Sequence, residues 1–144
     1  AQAAPGGGTA WPLDAVYDST NNKLIVAWGN SATTANTNMI IAYDYNDSTG
    51  AFGTANTLYD ISTASGLSLY NISAMYLDAT NSVLYVSTAI STATTVVNYS
   101  IEKFTYDPSQ IGVDNTKVLT RVGTSPFYPY GIDTKCISSM RVAD

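Results

Sequence analysis

The sequence has 144 residues, of which 45% are hydrophobic and only 12% are charged, and its formal net charge is −5. This length allows one ordinary domain with a hydrophobic core, and the hydrophobic content is too high for an intrinsically disordered chain. The six basic residues are scattered, which argues against a nucleic-acid partner because phosphate binding requires clustered Lys and Arg. No apolar run approaches the length of a membrane span.

The choice of residue types indicates an all-β protein. Glu102 is the only glutamate and there are four lysines, whereas the β-branched residues and tyrosine that favour strands are abundant. Low charge combined with many Ser, Thr and Asn residues is typical of secreted, cell-surface or fibrous β proteins. We therefore expect an extracellular or cell-surface location.

The chain begins with residues 1–10, "AQAAPGGGTA", which we expect to be a flexible N-terminal segment. Such small residues are typical of the start left by signal-peptide cleavage, and equally of a linker within a longer chain. Trp11 follows directly.

Residues 11–71 form the first unit of a predicted repeat. Asp18 opens the turn "DSTN", because an aspartate side chain can accept hydrogen bonds from backbone amides two residues further on. The strand that follows, "KLIVAW", is apolar on both faces and must therefore be covered on both sides. Strands are predicted near 13–17, 23–28, 39–45 and 55–60.

The second unit, residues 72–136, repeats this pattern. Asp78-Ala79-Thr80-Asn81 matches Asp18-Ser19-Thr20-Asn21 at an offset of 60, and Tyr43 matches Phe104 at an offset of 61. Residues 137–144 begin "ISSM", which matches "ISAM" at 72–75, and are predicted to be the first strand of a third repeat. Strands in the second unit are predicted near 72–77, 83–88, 97–106 and 117–122.

The two turn-and-strand segments, "D-x-T-N-N-K-L-I-V" and "D-x-T-N-S-V-L-Y-V", resemble the "D-x-x-N-x-x-[LI]-Y-V" hairpin of bacterial YVTN and related lactonase-like β-propellers. This resemblance implies antiparallel four-stranded blades of β-propeller type: two blades and one strand of a third. The motif is structural, so it implies a fold rather than an activity. The period here is longer than in that family, and no catalytic residue carries over.

Two blades cannot close a ring, because an open array leaves an unpaired face at each end. Three arrangements remain open. The chain can be a fragment of a longer propeller, several copies can assemble into one ring, or the repeat can fold as a β-sandwich of eight or nine strands. The strand at 137–144 favours the first two, since a lone strand needs a sheet to join.

The candidate ligand-binding residues are aromatic. In a propeller, the loops after the second and fourth strands of each blade lie on one face, and loops are where binding residues concentrate. A surface that binds a carbohydrate or peptide is the functional hypothesis for these residues. The favoured interpretation is that the same aromatics fill the gaps between adjacent blades. The residues are Trp11, Tyr70, Tyr128 and Tyr130, with Phe127 directly before Tyr128.

The evidence for a metal site is weak. Asp44, Asn46 and Ser48 in "DYNDSTG" have the alternating spacing of a calcium loop. The glycine comes one place late and no glutamate closes the loop, so a turn at a strand end is the favoured interpretation. No cofactor is predicted, with calcium as the weak alternative.

The chain has no histidine, so it lacks His-based triads and zinc sites of the usual kind. Two aspartate pairs, Asp14 with Asp18 and Asp44 with Asp47, are close in sequence, but no catalytic residue is predicted. The favoured function is a non-enzymatic module that binds a partner protein, a glycan or copies of itself. The alternatives are part of a lactonase-like hydrolytic propeller enzyme and a structural subunit of an extracellular filament.

Overall fold

The computed structural model describes residues 10–29, 38–60, 70–91, 97–123 and 140. Within these ranges the chain forms two antiparallel four-stranded sheets, with short 3-10 turns as its helical structure. The predicted all-β class is therefore confirmed. The segment predicted to begin a third repeat lies, apart from Met140, outside the described residues.

In each sheet the strands lie side by side in chain order. The first sheet consists of β1 (Trp11–Asp18), β2 (Lys23–Gly29), β3 (Met39–Asn46) and β4 (Ala51–Asp60). The second sheet consists of β5 (Tyr70–Asp78), β6 (Val83–Ser91), β7 (Val97–Tyr106) and β8 (Leu119–Arg121).

All eight predicted strands are present, and their bounds lie within about three residues of the prediction except at the start of β4. β4 begins at Ala51 instead of near 55, because its first residues pair with the end of β3. β8 has only three residues. It starts late because Asp114 accepts a hydrogen bond from the amide of Thr116 and begins a 3-10 turn over Asn115–Lys117.

The turns between β1 and β2 and between β5 and β6 are built as predicted. The Asp18 carboxylate accepts hydrogen bonds from the amides of Thr20 and Asn21, and Asp78 accepts one from the amide of Asn81. The last turn residue has a positive φ in both hairpins, 52° at Asn22 and 54° at Ser82. Asparagine adopts this left-handed conformation more readily than serine does.

The two central strands of the first sheet are buried on both faces, as their sequence predicts. Alternate side chains point to opposite faces of a strand. On one face, Ile25 and Ile40 belong to the larger hydrophobic cluster. On the other, Val26 and Ile41 belong to a separate cluster.

The larger cluster lies between the two sheets and contains residues from both. The second sheet contributes Ile72, Met75, Leu84, Val86, Phe104 and Tyr106. β1 packs against β5, and β4 packs against the 3-10 turn that precedes β8. The sheets therefore stack with their strands in the same order, first strand on first strand and outer edge on outer edge.

Candidate functional site

Only part of the predicted aromatic site falls within the described residues. Trp11 begins β1 and is 47% exposed, and it pairs with Gly29 across the sheet. Close to Gly29, the buried side-chain carbonyl of Asn38 has no hydrogen-bond partner within the described ranges. Tyr70 begins β5, where only the backbone is described. Tyr128 and Tyr130 lie outside the described residues, so the grouping of these aromatics stays a prediction.

Comparison of equivalent residues in the two units shows which faces of the sheets meet. An offset of 60 makes Ile25 equivalent to Tyr85 and Val26 equivalent to Val86. Ile25 and Val86 both lie in the core between the sheets. The two sheets thus meet through non-equivalent faces. The face of Ile25 in the first sheet contacts the second sheet, whereas the equivalent face of the second sheet, which carries Tyr85, points away from the first.

β3 and β7 give the same result independently. Tyr43 is equivalent to Phe104 at an offset of 61. Phe104 packs in the core between the sheets, whereas Tyr43 packs in the cluster on the opposite side of the first sheet. The two units therefore pack head to tail, and each sheet has an outer face that makes no contact with the other sheet.

The outer face of the first sheet carries a chain of touching aromatic rings. Tyr17 and Tyr45 meet edge to face with centroids 5.6 Å apart, and Tyr45 and Phe52 are 5.2 Å apart. Phe52 is 42% exposed, and the two tyrosines are half-buried. We call Tyr17, Tyr45 and Phe52 the Tyr45 patch. It occupies the half of the face nearest the β1–β2 turn, while Val26 and Trp28 in the other half are buried.

An open cleft of about 390 Å³ adjoins this patch, lined by Tyr45, Phe52, Asp44 and three asparagines. The Lys23 ammonium forms an ion pair with Asp44. Its hydrogen bond lowers the pKa of the Asp44 carboxyl, although partial burial acts in the opposite direction. Asp44 is thus already held as a paired carboxylate.

The outer face of the second sheet carries a second, smaller aromatic group. The rings of Tyr76 and Tyr85 lie 6.3 Å apart. The ammonium nitrogen of Lys103 lies 5.9 Å from the centroid of the Tyr85 ring, within reach of a cation–π interaction. We call these three residues the Tyr85 patch. Both tyrosines are half-buried and Lys103 is exposed.

Two aspartates join the sheets to each other. The Tyr106 hydroxyl donates a 2.9 Å hydrogen bond to Oδ2 of Asp18, and both groups are buried. Burial, followed by the Asp18 carboxylate, raises the pKa of Tyr106 well above its ordinary value. Asp14 on β1 accepts a hydrogen bond from the backbone amide of Met75 on β5.

A buried ion pair holds the edge of the second sheet. Arg121 on β8 contacts Oε2 of Glu102 with two of its nitrogens, at 2.8 and 2.9 Å. The Ser100 hydroxyl donates to the other carboxylate oxygen at 3.2 Å. Because Glu102 is only 1% exposed, this pair has a structural role.

The candidate catalytic and calcium residues also serve the fold. Asp14 and Asp18 bond across the sheets, and Asp44 pairs with Lys23. The side-chain oxygen of Asn46 accepts hydrogen bonds from the backbone amides of Ser48 and Thr49 in the turn before β4. The described residues include no group of three or more His, Cys, Asp or Glu side chains suited to a metal ion. They also include no helix long and apolar enough to cross a membrane.

The Tyr45 and Tyr85 patches were not predicted from the sequence. One difference between the units could have indicated the Tyr85 patch. Tyr85 and Lys103 occupy the positions of Ile25 and Ala42 in the first unit, so side chains with a polar or charged end replace purely apolar ones. No protein-family model, curated protein or solved structure significantly matches the chain.

Proposed function

We propose that the chain is a non-enzymatic β-propeller-type module, secreted or displayed at the cell surface, that binds its partner through the outer faces of its sheets. The head-to-tail packing of the two units carries this proposal. In a propeller every blade presents one face to the blade before it and the opposite face to the blade after it. A sandwich built on a twofold axis would bring equivalent faces together instead.

The composition of the outer faces supports a binding role. Ile25 and Ala42 are buried between the sheets, whereas the equivalent positions on the free face are Tyr85 and Lys103. Tyrosine buries a large ring while its hydroxyl remains compatible with water, and it is enriched in protein interfaces. Such a face tolerates water when it is free and can be buried when a partner is bound.

The state of the described carboxylates supports a non-enzymatic role. Asp14 and Asp18 accept hydrogen bonds that join the sheets, and Asp44 forms an ion pair with Lys23. A general acid or base needs a carboxyl that can reach a substrate and has a pKa near the working pH. Asp44 departs from that requirement, because its pKa is lowered by Lys23.

The test combines solution mass, measured by sedimentation across concentration, with a glycan-array screen. We expect concentration-dependent association or glycan binding, reduced tenfold or more by Phe52→Glu or Tyr85→Glu. Val113→Glu is the matched control, since Val113 is 80% exposed and belongs to a 3-10 turn region away from both patches. Binding that is equally strong in all three variants would overturn the proposal.

A further inference from the structure

We propose that the partner is a second copy of this chain, and that the Tyr45 patch of one copy packs on the Tyr85 patch of the next. At the end of the sheets nearest the β1–β2 and β5–β6 turns, the copies would repeat the relation that the first and second sheets have within one chain; Val26, Trp28 and Ile41, further along the outer face of the first sheet, are already buried. This inference rests on the proposed function, in which the outer faces are the binding surfaces.

The hydrogen bond between the sheets supplies the template. Within the chain, the Tyr106 hydroxyl donates to Asp18. The equivalent residues are Tyr45, at an offset of 61, and Asp78, at an offset of 60. Tyr45 therefore presents an equivalent donor on the outer face of the first sheet. Asp78 presents an equivalent acceptor on the outer face of the second sheet.

Both groups are available for this bond. The Tyr45 ring contacts Tyr17 and Phe52, but its hydroxyl has no hydrogen-bond partner among the described residues. Oδ2 of Asp78 accepts a 2.8 Å hydrogen bond from the side-chain nitrogen of Asn81, as Oδ2 of Asp18 does from Asn21. Asp18 accepts one further bond on that oxygen, from Tyr106. In Asp78 the equivalent bond is missing within the described residues.

The two patches are also complementary in charge. The Asp47 carboxylate lies near Tyr17 and, after burial, is the next cause that raises the pKa of that tyrosine. Because Lys23 neutralises Asp44, Asp47 supplies the negative charge beside the Tyr45 patch. The Tyr85 patch contains the exposed Lys103, whose charge, after the hydrogen bonds from Asn81, also lowers the pKa of the Asp78 carboxyl. Opposite charges on facing surfaces favour one docking register over others.

The resulting contact joins two different surfaces. A contact between unlike surfaces propagates, giving a ring if the rotation closes and an open fibre if it does not. It cannot close as a dimer of two equivalent faces. This property gives a test that does not depend on the size of the assembly.

The experiment blocks one patch in each of two variants. Tyr45→Arg places a cation opposite Lys103 of the next copy. Tyr85→Ala removes the ring on which the Tyr45 patch of the next copy packs, without adding an anion that would pair with the new arginine. We expect the wild-type chain to increase in mass beyond a dimer as its concentration rises, and each variant to stay monomeric. An equimolar mixture of the two should form a one-to-one dimer and nothing larger, because it contains one intact pair of patches.

Three outcomes would overturn the inference. These are a wild-type chain that stays monomeric up to about 1 mM, variants that associate like the wild type, and a mixture that stays monomeric. Glycan binding that is lost in a patch variant while the wild type is monomeric would overturn only this inference. Binding of every kind that is unaffected by both variants would overturn the proposed function as well.

Two controls separate docking from folding. Circular dichroism and the melting temperature of each variant should match the wild type, and Phe52→Glu replaces Tyr45→Arg if that variant does not fold. Tyr45→Phe and Asp78→Asn should each weaken association, and the double variant should weaken it no further than either alone. Additive losses would contradict a direct bond between these two groups.

Discussion

Tyr106 and Asp18 form a hydrogen bond between the two sheets where neither side chain reaches water. Tyr106 is 4% exposed and Asp18 is 1% exposed. Hydrogen bonds to charged groups contribute about 1.5–3 kcal/mol to stability, and removing one partner leaves the other buried and less well satisfied. The repeat also provides a counterpart of Tyr106, Tyr45, whose hydroxyl is unbonded as far as the described part of the chain shows.

Replacing Tyr106 with phenylalanine tests the contribution of the bond. We expect Tyr106→Phe to lower the free energy of unfolding by about 1.5–3 kcal/mol at pH 7, measured by urea denaturation. Tyr45→Phe removes a hydroxyl that makes no hydrogen bond to the residues the structure describes, and the loss should stay below about 0.5 kcal/mol. Equal losses in the two variants would mean that the bond to Asp18 is not the source of the effect.

The same tyrosine should make the protein sensitive to alkali. Its pKa is raised above the ordinary value of 10.0 by burial and by Asp18, so the unfolded chain loses this proton first as the pH rises. Stability from this group is therefore complete below pH 10.0 and declines above it. Between pH 10 and 11 the wild type should lose about 1 kcal/mol more than Tyr106→Phe. Parallel pH profiles for the two proteins would contradict this assignment.

At the scale of single elements, strand positions were predictable because they depend on local signals. Apolar residues recurring along β2 and β6, bounded by the Asp18 and Asp78 turns, were sufficient to place these hairpins. The short β8 was not predictable, since Asp114 captures the amide of Thr116 and delays the strand. The burial of Glu102 on β7 was not predictable either, because its partner Arg121 comes 19 residues later in the chain.

The Glu102–Arg121 pair should be essential for the edge strand β8. Arg121→Met leaves the Glu102 carboxylate buried without its cation, which typically costs about 3–5 kcal/mol. Thermal or urea unfolding measures this loss. The control is Lys117→Met, which breaks an ion pair with Asp114 in which the lysine is 71% exposed, and it should cost far less than Arg121→Met because water screens exposed pairs. Adding Glu102→Leu to Arg121→Met should recover much of the loss; failure to recover would point to packing of the arginine stem instead.

At the scale of the whole molecule, the candidate site could not be predicted because it depends on which sheet faces meet. The repeat offset shows that Ile25 and Tyr85 are equivalent, but equivalent residues can be buried or exposed according to the packing of the sheets. Both central strands are apolar enough to permit either orientation. The aromatic residues chosen from the sequence lie near loops, whereas the Tyr45 and Tyr85 patches lie on strand faces whose exposure is decided by nonlocal packing.

Ile25 and Tyr85 test the head-to-tail packing directly, because they occupy equivalent positions on opposite sides of the structure. Ile25 is fully buried between the sheets, so Ile25→Ala should lower the free energy of unfolding by about 2–5 kcal/mol. Tyr85→Ala, on the free face, should cost about 1 kcal/mol or less in the isolated chain. Urea denaturation below the concentration at which copies associate measures both values. Similar losses at the two positions would show that both lie in equally buried surroundings, which head-to-tail stacking of two units does not allow.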